Sequence, residues 1–326
     1  MPKAHRPRHG SMQVWPRKRA KRTFPRIHAW AGKQGLLGFA GYKVGMTHLV
    51  FTDGRKNSMT KGQDVSVPTT IIECPPVRVA GVRFYKTSYD GRQVMTDIFS
   101  KFDKELSKRL SAPKKDSKPL DSVKPEDCTD VTLFIQTQPK FTGIGKKRPE
   151  IFEVAVAGSV QDKLAFAKEH LGKELSVKDV FKEGQFIDMH AVTKGKGFQG
   201  PVKRFGVKIR FHKSEKTKRG PGSLGGWSGQ QHVMYRVAHA GQMGFHNRVD
   251  YNKQIMMIGD DPKKVNPKGG FVRYGEVKSQ YLLVKGSIPG PKKRLIRMKV
   301  ALRPDTRKEE TAQTIQYIST ESKQGR

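Results

Sequence analysis

Acidic residues are scarce in this sequence beside its basic ones. In 326 residues Asp and Glu number 29 against 64 Lys and Arg, a formal charge of +35, and no acid precedes Asp53. A charge of that size exceeds what solubility needs and would repel itself in a compact free monomer, so a polyanion, nucleic acid above all, is the expected partner. Cysteine is nearly missing: Cys74 and Cys128 form no Cys-x-x-Cys and have no adjacent histidine pair, which excludes a zinc ribbon and a disulfide framework. Both are expected to be reduced thiols. There is no apolar run of about 18 residues, and the opening Met1-Pro2-Lys3-Ala4-His5-Arg6 carries no apolar signal core, so neither a spanning helix nor secretion is expected. The basic stretches are broken by Gly and Pro, unlike an amphipathic membrane-surface helix. No internal repeat is present, and the expected location is the cytoplasm.

What the chain does have is concentrated between Lys194 and Arg248. This segment holds Lys194, Lys196, Lys203, Arg204, Lys208, Arg210, Lys213, Lys216, Lys218, Arg219, Arg236 and Arg248 against one acid, Glu215. It is rich in glycine and has no sustained period of 2 or 3.6, so it is expected to gain its order from a polyanion rather than from its own core. Residues 1–35 form a second basic stretch, with Arg6, Arg8, Trp15, Arg17, Lys18, Arg19, Lys21 and Arg22, where Pro2, Pro7, Pro16 and Pro25 prevent a continuous helix. This is expected to be an extended arm.

Between and after these stretches the texture is that of a folded domain over 36–326. Short apolar runs at 36–42, 47–51 and 65–85 predict strands, and Asp53-Gly54 predicts a hairpin. Ile98, Phe102, Leu106 and Leu110 recur at spacing four and predict a helix over 97–110. Ser159-Val-Gln-Asp162 is a capping box that predicts a helix closed by Gly172, and Ser176-Val-Lys-Asp179 predicts a shorter one. Further strands are predicted at 131–137, 151–157, 185–193, 254–258, 270–274, 280–285, 295–302 and 314–319. The resulting fold class is mainly β and barrel-like, with an α/β insertion over 87–182 and a basic, glycine-rich extension over 194–248.

Gly195-Lys-Gly-Phe-Gln-Gly200 spells the dinucleotide-binding fingerprint, but Pro201 and a basic run follow instead of a predicted helix, and the only nearby acid is Glu215. The glycines fit close approach of backbone amides to phosphates better, so no cofactor is expected. His212, His232, His239 and His246 lack helical metal-ligand spacing, so no metal is expected either; His212 and His246 fit RNA contacts. Trp227, flanked by glycines, fits an exposed stacking tip worth about 1–3 kcal/mol per base.

Phe181, Asp188, Ala191, Thr193, Gly195, Lys196, Gly197, Gly200 and Arg204 fall at the spacing of a family signature. So do Pro7-Arg-His-Gly-Ser11, Gly41-Tyr-Lys-Val-Gly-Met-Thr-His48, Ala240-Gly-Gln-Met-Gly244 and Gly269-Gly-Phe-Val-Arg-Tyr-Gly-Glu276. In these segments the chain resembles ribosomal protein L-three, the universal third protein of the large subunit, along nearly its whole length. The arm and the insertion are similar to the archaeal and eukaryotic branch, and the lack of a long lysine-rich end leans to the archaeal side. The resemblance implies a six-stranded translation-protein β-barrel, a non-enzymatic role in binding large-subunit rRNA and nucleating assembly, and an extension carrying Trp227 toward the peptidyl transferase centre. It implies neighbouring ribosomal proteins as partners and no homo-oligomer. Lys218 departs from the pattern, since many eukaryotic members have histidine there. A DNA-compacting protein is the alternative that charge alone leaves open.

Overall fold

The computed structural model describes residues 9–32, 35–111, 119–214, 216–226, 233–307 and 310–322. The chain divides into two compact units: Met1–Thr23 with Val192–Asn247, and Phe24–Ala191 with Arg248–Arg326. The larger is built mainly of strands and turns, the smaller mainly of turns and irregular chain with a few short elements, and among the described residues no helix is long and apolar enough to cross a membrane.

The larger unit is organised by β1 (Gly38–Thr52), which pairs antiparallel with three others: β2 (Asp64–Glu73), β13 (Leu295–Val300) and β14 (Thr314–Ile318). Gly41 makes this possible, because a Cβ there would stand 2.6 Å from Ile72 and 2.8 Å from the Glu73 carbonyl. Following hydrogen-bonded neighbours from β13 leads through β8 (Phe186–Val192), β11 (Asn247–Gly259), β12 (Tyr281–Lys285) and β2 to β1, which pairs with β13 again. A second sheet sets β4 (Gly91–Phe99), β3 (Val77–Ser88), β5 (Asp130–Gln136) and β6 (Ile151–Ala155) side by side, with β7 (Glu174–Leu175) also on β3. The helix α1 (Val160–His170) has its capping box between Ser159 and Asp162 as predicted, and buries Leu164 and Ala167. One apolar cluster runs from Phe39, Tyr42 and Ile71 of the first sheet to Val82 and Leu133 of the second.

Three predicted elements differ. The expected helix over 97–110 is instead the end of β4, a loop and a single 3-10 turn at Leu106–Lys108. Spacing four was misleading because the apolar residues serve different neighbours: Ile98 pairs with Val82 in the sheet, while Leu106 packs with Ala80 and Phe134. Ser176–Asp179 makes one turn, closed by Asp179 accepting the Ser176 amide at 2.7 Å, and no helix follows. The strand expected at 270–274 is a tight turn bridged by Phe271 and Gly275. Asp53-Gly54 does open the β1–β2 hairpin, but the connection runs to Gln63, with the Asp53 carboxylate accepting from Arg55, Ser58 and Thr60.

Cations hold the chain before β1 in place. Arg297, 3% exposed, donates to the carbonyls of Pro25 at 3.1 Å and Glu153 at 2.6 Å and lies 4.2 Å over the Phe152 ring. Lys299 donates to the Ala29 carbonyl at 2.9 Å. Phe24 and Ile27, within the span expected to be an arm, are buried here. His190 is in register with Arg297 on the neighbouring strand, and burial, with the charges of Lys299 and Arg297, holds its pKa down to about 4.

The unfolded chain takes up the His190 proton near the ordinary value of about 6.5, while the folded chain resists it down to about 4. Stability contributed by this site is therefore present above about pH 6.5 and lost as pH falls toward 4. Urea midpoints of His190→Gln are expected to change less over that window than those of the unmodified chain; equal changes would remove His190 from the account.

Candidate nucleic-acid interface

The smaller unit begins where the chain leaves β8. Residues 193–199 and 241–246 run beside each other as a ribbon: the Thr193 amide donates to the His246 carbonyl at 3.0 Å, Lys196 to Met243 at 2.9 Å, and Met243 to Gly197 at 2.9 Å. The ribbon contains the two-residue strands β9 (Phe198–Gln199) and β10 (Gly241–Gln242). Gly244, at φ +72°, has the Lys194 carbonyl where a Cβ would stand, so glycine is required there. The expectation that this segment takes all its order from a polyanion is thus too strong for its base.

A five-residue helix, α2 (Pro201–Phe205), follows Gly200, although no helix was predicted there. Pro201 suits its first turn and Gly206, at φ 69°, ends it. The element is too short for periodicity to disclose. Its last residue, Phe205, is buried and becomes the centre of the unit. Trp15 stacks on it with ring centroids 5.7 Å apart, and the guanidinium groups of Arg17 and Arg204 lie 4.3 and 5.0 Å from its centroid. Tyr235 meets Trp15 edge-on at 6.0 Å.

Several predicted contact residues therefore have internal partners. Arg204 donates to the carbonyls of Gln242 at 3.0 Å and His239 at 2.9 Å, and partial burial lowers its pKa. Arg17 donates to the Arg204 carbonyl at 2.9 Å. His246 is buried and its Nδ1 donates to the Lys18 carbonyl at 2.8 Å. Ala20 bonds Phe245, and Arg19 covers the Phe245 ring at 5.2 Å. The arm is thus fastened to the ribbon through backbone carbonyls and aromatic faces, which accept cations without any acid.

Other predicted residues face outward. Lys18, Arg19, Lys21, Arg22, Lys194, Gly195, Lys196, Gly197, Gly200, Lys203, Lys208, Arg210, His212, Lys213, Lys216, Lys218, Arg219 and Arg236 are exposed, while Arg248 is half-buried in the larger unit. Arg6, Arg8 and Trp227 lie outside the described residues. Exposed aromatics interleave with these cations: Phe198 (76%), Phe211 (73%), with Lys208 Nζ 5.1 Å from its centroid, and Tyr235 (70%). Sequence reasoning passed over them for the tryptophans, although aromatics alternating with Lys and Arg in an acid-free stretch were the available signal. Among the described residues no group of three or more His, Cys, Asp or Glu could hold a metal ion.

The family model described as Ribosomal protein L3 matches residues 1–325. The chain belongs to that family. It is 48% identical over 333 residues to the large ribosomal subunit protein uL3 of Archaeoglobus fulgidus, covering 99% of this chain and all of the relative. Identity to the uL3 of Methanosphaera stadtmanae is 47% over 339 residues, with both chains covered fully. That of Methanococcus vannielii is 46% identical over 333 residues, with 99% of each covered. These relatives are archaeal, in keeping with the branch to which the arm and insertion are similar. The family is one of structural ribosomal proteins and not of enzymes.

Arg204 ties three chain segments together, so Arg204→Gln is expected to loosen the ribbon by about 1–3 kcal/mol, the worth of charge-assisted hydrogen bonds. The readout is amide exchange at Ala20, Lys196 and Met243, which should accelerate together. Unchanged protection would show that the carbonyl contacts do not hold the unit.

Proposed function

We propose that the chain is a structural constituent of the large ribosomal subunit, in the cytoplasm, anchored by a six-stranded barrel of the translation-protein type and bound to large-subunit rRNA through its arm and its 194–248 extension. The cyclic path of six strands supports the barrel reading. The observation that carries the RNA reading is the outward row of Lys203, Lys208, Arg210, Lys213, Lys216, Lys218 and Arg219, none of which has an ion-pair partner among the described residues. An unneutralised row of this kind suits a phosphate backbone, whose condensed counterions are released when the row binds. Phe198, Phe211 and Tyr235 add faces for unpaired bases.

In this reading the domain boundaries are 1–35 for the arm, 36–326 for the barrel domain, 87–182 for the insertion and 194–248 for the extension. Arg17, Arg204 and His246 act by shaping the extension's base, while the exposed cations meet phosphates. Trp227 reaches toward the peptidyl transferase centre, and neighbouring ribosomal proteins complete the surroundings. Early rRNA binding then helps nucleate the subunit, and the chemistry of peptide transfer stays with the RNA.

The test separates rRNA recognition from general attraction to nucleic acid. At elevated salt the full chain is expected to retain a large-subunit rRNA segment while releasing duplex DNA of the same length. Equal retention would favour the DNA-compacting alternative. In ribosomes carrying Trp227→Ala, tRNA accommodation or antibiotic response is expected to change without loss of peptide transfer; no change in elongation, fidelity or drug sensitivity would contradict the placement of Trp227.

A further inference from the structure

A second acid-poor stretch lies wholly in the larger unit. Between Pro262 and Pro304 the chain carries twelve Lys and Arg and a single acid, Glu276. Arg297 and Lys299 face inward, but others are collected on two neighbouring turns. The first is the tight turn Phe271–Gly275, closed by the Phe271 amide on the Gly275 carbonyl at 2.9 Å and the reverse bond at 3.0 Å. It is anchored from below by the Tyr274 hydroxyl, which donates to the fully buried Glu73. Glu73 also accepts the amides of Lys278 at 2.7 Å and Ser279 at 3.0 Å.

The second turn, 288–294, is held by Lys43, whose Nζ donates to the carbonyls of Ile288 at 2.5 Å and Gly290 at 3.1 Å. The Lys293 amide donates back to the Lys43 carbonyl at 2.8 Å. Lys292 Nζ joins the two turns by donating to the Val272 carbonyl at 2.6 Å. At the tips stand Arg273 and Lys293, both exposed, both without an ion-pair partner among the described residues, and both left-handed at φ 64° and 67°. Long side chains rarely adopt that backbone, and where the surroundings impose it a functional reason is expected. Burial, and after it the nearby charge of Lys292, lower the pKa of Lys43.

We propose that these two turns form a second phosphate-binding surface for RNA, on the larger unit, with Arg273 and Lys293 as its contacts and Lys268 and Lys278 beside them. This rests on the ribosomal reading but adds a site apart from the arm and the extension. RNA suits the surface better than an acidic protein, because protein interfaces have an apolar or aromatic centre and the exposed apolar residue at these tips is Val272 alone. Anchored turns also hold their charges at fixed positions, as backbone recognition by shape requires.

The test is a salt titration of the full chain binding large-subunit rRNA, comparing the unmodified protein, Arg273→Asn with Lys293→Asn, and Lys213→Gln with Lys218→Gln. Asn tolerates a left-handed backbone, so the urea midpoint of the turn variant should not fall. Each lost phosphate contact lowers the slope of log K against log salt by about 0.7–0.9, so the turn variant is expected to lose about 1.4–1.8. An unchanged slope for the turn variant, with a lowered one for the extension variant, would overturn this site and leave the ribosomal reading standing. An unmodified chain that holds rRNA no better than duplex DNA would overturn both. Loss of polyglutamate binding with an unchanged rRNA slope would assign the surface to an acidic protein instead.

Discussion

Like charges repel, and a chain with 35 more cations than anions can fold only by giving those cations something other than acids to face. The structure does this in two ways. Some cations turn inward onto backbone carbonyls and aromatic rings: Arg297 and Lys299 beneath Pro25–Ala29, Arg204 and Arg17 around Phe205, Lys43 under the 288–294 turn. Others, such as Lys203, Arg210 and Lys213, turn outward with no ion-pair partner among the described residues. The first group builds the fold, and the second is the group proposed to meet an external polyanion.

That division explains why residue type alone is a poor guide to role. Arg204 and Lys203 are adjacent and carry the same charge, yet one is fixed to two carbonyls and the other is exposed. A planar guanidinium can reach two carbonyls and cover a ring at once, which suits arginine to the inward task. Lysines populate most of the outward row.

The strands were largely legible because alternating apolar runs bounded by turn residues reflect a physical need to bury one face. The capping box at Ser159 was legible because it is local. What stayed hidden depends on distant partners. Ile98 and Leu106 share a helical spacing but belong to different neighbours, and Phe205 becomes a hub only because Trp15, far away in sequence, lies on it. The exposed row was visible as composition, and the inward use of Arg17, Arg204 and His246 was not, since nothing local marks which cation a carbonyl will receive. The turn at Arg273 was hidden because residues 270–274 share the apolar texture of the strands around them.

The central claim is that the outward cations are matched to one RNA. Crosslinking the full chain in cell extract at elevated salt, sizing the complexes on a gradient and sequencing the attached RNA tests it most directly. The account predicts reads concentrated in large-subunit rRNA, in subunit-sized fractions, with crosslinked peptides from the 194–219 region. Reads scattered over unrelated RNAs in light fractions would contradict it.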